Sequence, residues 1–307
     1  MTRKARSGAD EDEVATLVQR LAVLLAAGVA PPSAWSYLVG DDRDSRLATV
    51  ARAVGEHVPA DEAILSIVGT SPDAAGWRGL AAAWGVASEA GAPLAPTLTD
   101  LAASLRDLAE TGRQVQVALA APIATARMVM ALPAVGVLFG MVLGFDTLGT
   151  LFGTPAGLAC LGVGVALIAA ARVWNQRLVR SAEPGVHTPG LALDLVAIAV
   201  SGGASTQRAI HAVERACDRS SLPWEADRAV VDSVLSLSRR AGVPAAALLR
   251  SESAEARRRA RSDGARRAAT LSVTLMLPLG LCILPAFMLL GVAPLLIAVI
   301  SSTVAGF

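Results

Sequence analysis

Side chains able to do chemistry are few in these 307 residues, and they are scattered. His57, His187 and His211 stand far apart, and no two share the helical spacing of a metal pair. Lys4 is the only lysine, so the phosphate-binding loop Gly-x-x-x-x-Gly-Lys-Ser/Thr cannot form. Neither a Gly-x-Ser-x-Gly elbow nor a Cys-x-x-Cys pair occurs. Of the three cysteines, Cys160 and Cys282 fall inside apolar stretches, which predicts small buried thiols rather than a disulfide or a metal site. The expectation is a non-enzymatic chain with no catalytic residues, no metal site and no cofactor. Energy-driven work would have to come from a separate motor.

What remains is arginine. Arg257, Arg258, Arg259 and Arg261 form a dense run, with Arg239 and Arg240 shortly before it. These six are the candidate contacts for a protein partner or for lipid. The run precedes a long apolar stretch, so its first expected role is positive-inside anchoring, with contact to lipid headgroups. Protein docking is the second expectation. Nucleic acid is not expected, because no aromatic platform accompanies the basic residues. Net charge is only +1, but it is unevenly spread. Residues 1–111 carry 9 basic and 15 acidic groups, whereas residues 239–267 carry 9 arginines against 3 acids. Two surfaces of opposite sign imply different docking faces.

The elements that position these arginines belong to a membrane protein. Hydrophobic residues make up 53% of the chain, and mean hydropathy is +0.53. Charge-free stretches cover residues 128–145, 147–171 and 268–307, of 18, 25 and 40 residues. About 20 residues cross a bilayer, so the first two read as an in-and-out pair. The third reads as one span with an apolar tail, the alternative being a hairpin turning near residues 291–294. The link around residues 145–153 has no Lys or Arg and should face outward. Arg172, Arg177 and Arg180 follow the second span, and the arginine run precedes the third, so both should face the cytoplasm. Trp174 fits an interfacial anchor. The N-terminal residues lack an apolar core, so no signal peptide is expected and the first part of the chain is placed in the cytoplasm. Gly136, Gly140 and Gly144 recur every four residues, a spacing that lets helices approach closely and marks them as candidate packing residues. Pro133, Pro278 and Pro285 are expected to kink their helices. No ionisable residue lies mid-span, which argues against an ion-coupled transporter.

Outside the spans the periodicity is helical throughout. Leu17, Leu21, Leu24 and Leu25 share one face, Gly28 ends that helix, and Pro31-Pro32 opens the next. Leu191, Leu195, Ile198, Ala199 and Gly202 repeat the pattern 174 residues later. Gly91-Ala-Pro93 and Gly242-Val-Pro244 each read as helix, turn, helix, and Leu94, Leu98, Leu101, Leu105 and Leu108 draw an apolar stripe along the helix after the first. Leu132-Pro-Ala and Leu284-Pro-Ala follow at like distances. The chain therefore reads as a duplicated all-α unit, with an insertion of about 23 residues somewhere in 40–80 of the first copy. The predicted organisation is a disordered tail (1–13), a first cytoplasmic bundle (14–122), a membrane hairpin (123–176), a linker (177–190), a second cytoplasmic bundle (191–267) and a C-terminal membrane segment (268–307). This gives two bundles and three spans, or four with a C-terminal hairpin.

Three motifs carry a family resemblance: Leu21-Ala-Val-Leu-Leu-Ala-Ala-Gly-Val-Ala-Pro-Pro, Glu89-Ala-Gly-Ala-Pro-Leu and Leu284-Pro-Ala-Phe. In this order they resemble the type II secretion F-domain family, which includes GspF, PilC and the TadB and TadC platform proteins of Tad (Flp) pilus systems. The resemblance covers residues 14–145 and 191–290 and is nearest to the Tad proteins. It departs where Arg240 stands in place of Glu89 and where the leucine stripe is largely lost from the second copy. It implies an inner-membrane platform for pilus assembly or secretion. The implied partners are a cytoplasmic hexameric ATPase, pilin transmembrane helices, membrane lipids, and a paralogous platform protein or a second copy of the chain. A small-molecule transporter or channel subunit is the rival reading.

Overall fold

A computed structural model describes residues 2–39, 46–68, 74–142, 147–181, 188–294 and 296–297. The fold is all-α, and the described residues contain no strand. In chain order the first helices are α1 (Thr2–Ala26), α2 (Pro31–Leu38), α3 (Arg46–Gly55), α4 (Ala60–Val68), α5 (Ala75–Ala90) and α6 (Leu94–Val142). Next come α7 (Thr147–Gly153), α8 (Pro155–Ser181), α9 (Leu191–Ser201), α10 (Thr206–Arg219), α11 (Glu225–Ala241) and α12 (Ala245–Thr274). Two short pieces, α13 (Met276–Pro278) and α14 (Leu284–Phe287), complete the helices. Helix α1 begins at Thr2, so the segment read as a disordered tail is part of it.

The chain divides into two compact units, Met1–Arg113 with Pro184–Ser262, and Gln114–Glu183 with Asp263–Phe307. The first holds both copies of the repeat. The sequence predicts two bundles, yet their helices share one core that runs from Val14 to Leu105 and on through Leu191 to Leu249. The reason lies in α5. Residues 76–87 are buried on every side, which one hairpin partner cannot achieve, so α9 and α10 of the second copy cover the face left open by α1 and α4. Trp35 and Trp84 pack together in this core with ring centroids 5.7 Å apart. Cys217 is also buried there, and burial, with Asp218 and Asp227 adding to it, pushes its thiol up to about 12. A maleimide at about pH 8 should leave Cys217 unlabelled until the protein unfolds.

The turns that define the repeat behave as their residues dictate. Gly91 and Gly242 close α5 and α11 in the left-handed conformation, at φ 68° and 65°, and each donates its N–H to the carbonyl four residues earlier. Earlier in each copy, Gly28 and Gly203 occupy the same left-handed corner, at φ 86° and 89°. An interval of 175 residues separates the first corners and 151 the second, and α3 and α4 fill the difference in copy one.

The second unit is built from the distal part of α6, from α7 and α8, and from the C-terminal helical run. Here many large apolar residues face outward: Met128, Phe139, Val142, Val163, Val273, Met276 and Leu281 are all exposed. Among the described residues two helical stretches are long and apolar enough to cross a membrane, Pro155–Leu178 and Ala245–Val292. Pro278 and Pro285 are each followed by a π-helical segment, Leu279–Ile283 and Met288–Val292. Proline removes a backbone donor and crowds the preceding turn, and a widened turn accommodates both effects. Helix α6 continues through residue 133.

Candidate functional site

Helices wind about 100° per residue, so the arginine run cannot present all its members to one side. Arg250, Arg257 and Arg261 share the face of α12 turned toward α6 and α9. Arg250 Nε lies 3.4 Å from Asp100 Oδ2, and Arg261 Nη2 lies 3.2 Å from Asp107 Oδ1. Between them Arg257 Nη1 donates to Asp194 Oδ2 at 2.7 Å and to Ser253 Oγ at 2.7 Å. Ser253 in turn donates to the carbonyl of Gly190 at 3.0 Å, and Ser104 Oγ approaches Asp194 Oδ2 at 3.4 Å. The result is a ladder of three ion pairs tying α12 to α6 and α9, its middle rung mostly buried. Burial raises the Asp194 carboxyl above its ordinary value, and the nearby Arg257 charge opposes that rise.

Arg258 and Arg259 point elsewhere. Both are exposed and both bond Glu255 one turn back, at 2.9 and 3.2 Å; these bonds, Arg258's foremost, hold the Glu255 carboxyl below its usual value. Arg239 and Arg240 occupy the exposed last turn of α11, where a cation suits the helix dipole. Of the six candidate arginines, Arg257 and Arg261 are thus engaged with carboxylates of other helices, and Arg239, Arg240, Arg258 and Arg259 face solvent. The acceptors Asp100, Asp107 and Asp194 escaped sequence reading because they lie on helices distant in the chain. Asp100 and Asp107 are seven residues apart on one helix face, but their partners Arg250 and Arg261 are eleven apart, so the spacing alone does not pair them.

In the apolar unit Gly136 marks a close helix contact. A Cβ added there would lie 3.2 Å from the Gly291 Cα and 3.0 Å from a Phe287 ring carbon. Gly140 is buried, and Gly144 lies outside the described residues. Gly164 of α8 admits the side chain of Leu290 in the same manner. Cys282 is buried beside Ala171 and Ile283, Cys160 is half-buried, and all three cysteines are free.

This combination defines a class: a helical protein with a duplicated core unit and a second unit whose apolar helices can cross a membrane. Residues 17–142 match the family described as Type II secretion system (T2SS), protein F. The match runs from α1 through the first copy and along α6 into the apolar unit. No curated protein and no solved structure matches the chain. The described residues are all-α, and over residues 17–142 the chain is similar to that family.

Proposed function

We propose that this chain is an inner-membrane platform protein of a Tad (Flp) pilus or type II secretion machine, coupling a cytoplasmic hexameric ATPase to extraction of pilin from the membrane. The F-type match over residues 17–142 carries the reading, because it includes both the packed core helices and the apolar half of α6. In this reading the first unit, with both copies of the repeat, lies in the cytoplasm. The arginines of α8 and α12 flank their spans on the same side. Arg239, Arg240, Arg258 and Arg259, being exposed, are the residues assigned to the motor or to lipid headgroups. The small-residue face around Gly136 and Gly140 is assigned to helix packing, within the chain or against pilin. The remaining partner is a paralogous platform protein or another copy of the chain.

Deletion of the gene should abolish surface pili or secretion, and the tagged protein in mild detergent should recover the ATPase. Arg239→Glu together with Arg240→Glu should cut that recovery several-fold while leaving the helical content unchanged. Normal piliation after deletion, or solute flux through liposomes holding the chain alone, would overturn the reading in favour of a transporter or channel.

A further inference from the structure

The repeat is duplicated, but its internal contact is one-sided. Helix α5 of the first copy lays Gly79, Ala83 and Ala90, which share one face, along the second copy. Gly79 lies against the Leu191 side chain, Ala83 lines a cleft with Leu191 and Ile198, and the Ala90 carbonyl meets Gly202. Glu89 of α5 pairs with Arg215 of α10 at the edge. Among the described residues the reciprocal packing, α11 against α1 and α2, is marginal at most.

Both halves of that missing contact are therefore open, and burial shows it position by position. Along α1 and α2 the buried pattern repeats that of α9 and α10 at an interval of 175 residues, except on a single face. Ile198 and Ala212 are buried, whereas their equivalents Val23 and Tyr37 are 58% and 72% exposed. Thr16 and Arg20 stand exposed where Leu191 and Leu195 are buried. At the interval of 151, Gly79, Val86 and Ala92 are buried, whereas Val230, Leu237 and Val243 are 39%, 46% and 40% exposed. Larger apolar residues on α11 and in the turn after it thus stand where α5 and its turn carry glycine, valine and alanine.

We propose that a second copy of this chain docks its α1–α2 face onto α11, repeating between molecules the contact that α5 makes with α9 and α10 within one. Such a contact is heterologous: each molecule offers one donor face and one acceptor face. Charge does not oppose it: Arg20 is the one charged residue among the exposed α1 and α2 positions named above, and α11 carries three acids and three arginines. Thr16 and Arg20 keep the donor face partly polar, as suits molecules that meet after folding. The proposal specifies the self-association named among the partners above, but it stands on the duplication alone, so its failure leaves the motor test untouched.

The test uses the full-length chain in mild detergent, without motor or pilin, sized by light scattering. The wild type should self-associate. Tyr37→Arg and Leu237→Arg should each be monomeric with unchanged helical circular dichroism, because both side chains are exposed. Mixed, the two variants should form a one-to-one dimer and stop there, since each retains the face the other lacks. Should either variant fold poorly, Val23→Glu and Val243→Glu address the same two faces. A monomeric wild type, a variant that keeps the wild-type size, or a mixture that stays monomeric would overturn the proposal.

Discussion

Arg257→Ala is expected to destabilise the first unit by about 3–5 kcal/mol, because it strands a carboxylate inside the protein. Arg257 is the only cation that touches Asp194 among the described residues, and both side chains are mostly shielded from water. Without it, Asp194 keeps only the neutral hydroxyls of Ser104 and Ser253. The loss should depend on pH in a fixed direction. Burial already raises the folded-state value of Asp194 above the ordinary 3.8, with Arg257 opposing the rise. For an acid raised in this way, folding is unaffected by the group below its unfolded value, and stability is lost as pH climbs toward the folded value. Removing Arg257 lifts that folded value further and extends the loss to higher pH. The gap between variant and wild type should therefore be small near pH 4 and widest near pH 7, as read from thermal melts in mild detergent. Asp194→Asn in the same background should recover much of the loss at neutral pH, since a neutral amide no longer requires a cation. A gap that stays the same at both pH values would show that Arg257 acts through packing instead.

The same residue shows where the sequence stops being readable. A run of arginines ahead of an apolar stretch reads as one solvated, lipid-facing cluster. The helix divides it, because Arg257 and Arg261 fall on the side where Asp194 and Asp107 arrive from other elements. Local chemistry was legible: Gly91 and Gly242 take the left-handed turn, Pro93 and Pro244 open the following helices, and Leu98, Leu101 and Leu105 are buried. The repeat was legible too, though displaced by one residue. Two adjacent glycines follow α9, and nothing local decides that Gly203 rather than Gly202 takes the positive φ. The merging of two bundles into one core was not legible. It depends on α5 being coated on all faces, and alanine and glycine satisfy a lipid, a ligand or a neighbouring helix equally well on paper. The helical tail from Thr2 was obscured by charge, since residues 10–13 are all acidic.

Gly202→Ala should cost more than its neighbour Gly203→Ala, and the comparison tests whether the two copies approach as closely as the shared core requires. Gly202 has φ −75°, an ordinary helical value, so alanine brings no backbone strain there. Its constraint is purely steric. An added Cβ would press on the carbonyl oxygen of Ala90 and come within 2.9 Å of the Ala92 nitrogen. Those atoms belong to the turn that Gly91 builds at the end of α5, and backbone cannot swing aside as a side chain can. The cost is about 1–3 kcal/mol or more, in the range of overpacked cores. Gly203 presents the opposite case: φ is 89° and a Cβ would meet nothing within 4 Å, so only the left-handed backbone penalty of about 1–2 kcal/mol applies. The two variants should also differ in kind. Gly203→Ala should lower the melting temperature alone, whereas Gly202→Ala should part α9 from α5 and increase hydrogen exchange in both helices. Equal tolerance of the two alanines would mean that the copies do not meet at this corner, and the one-sided contact that leaves α11 open would lose its anchor.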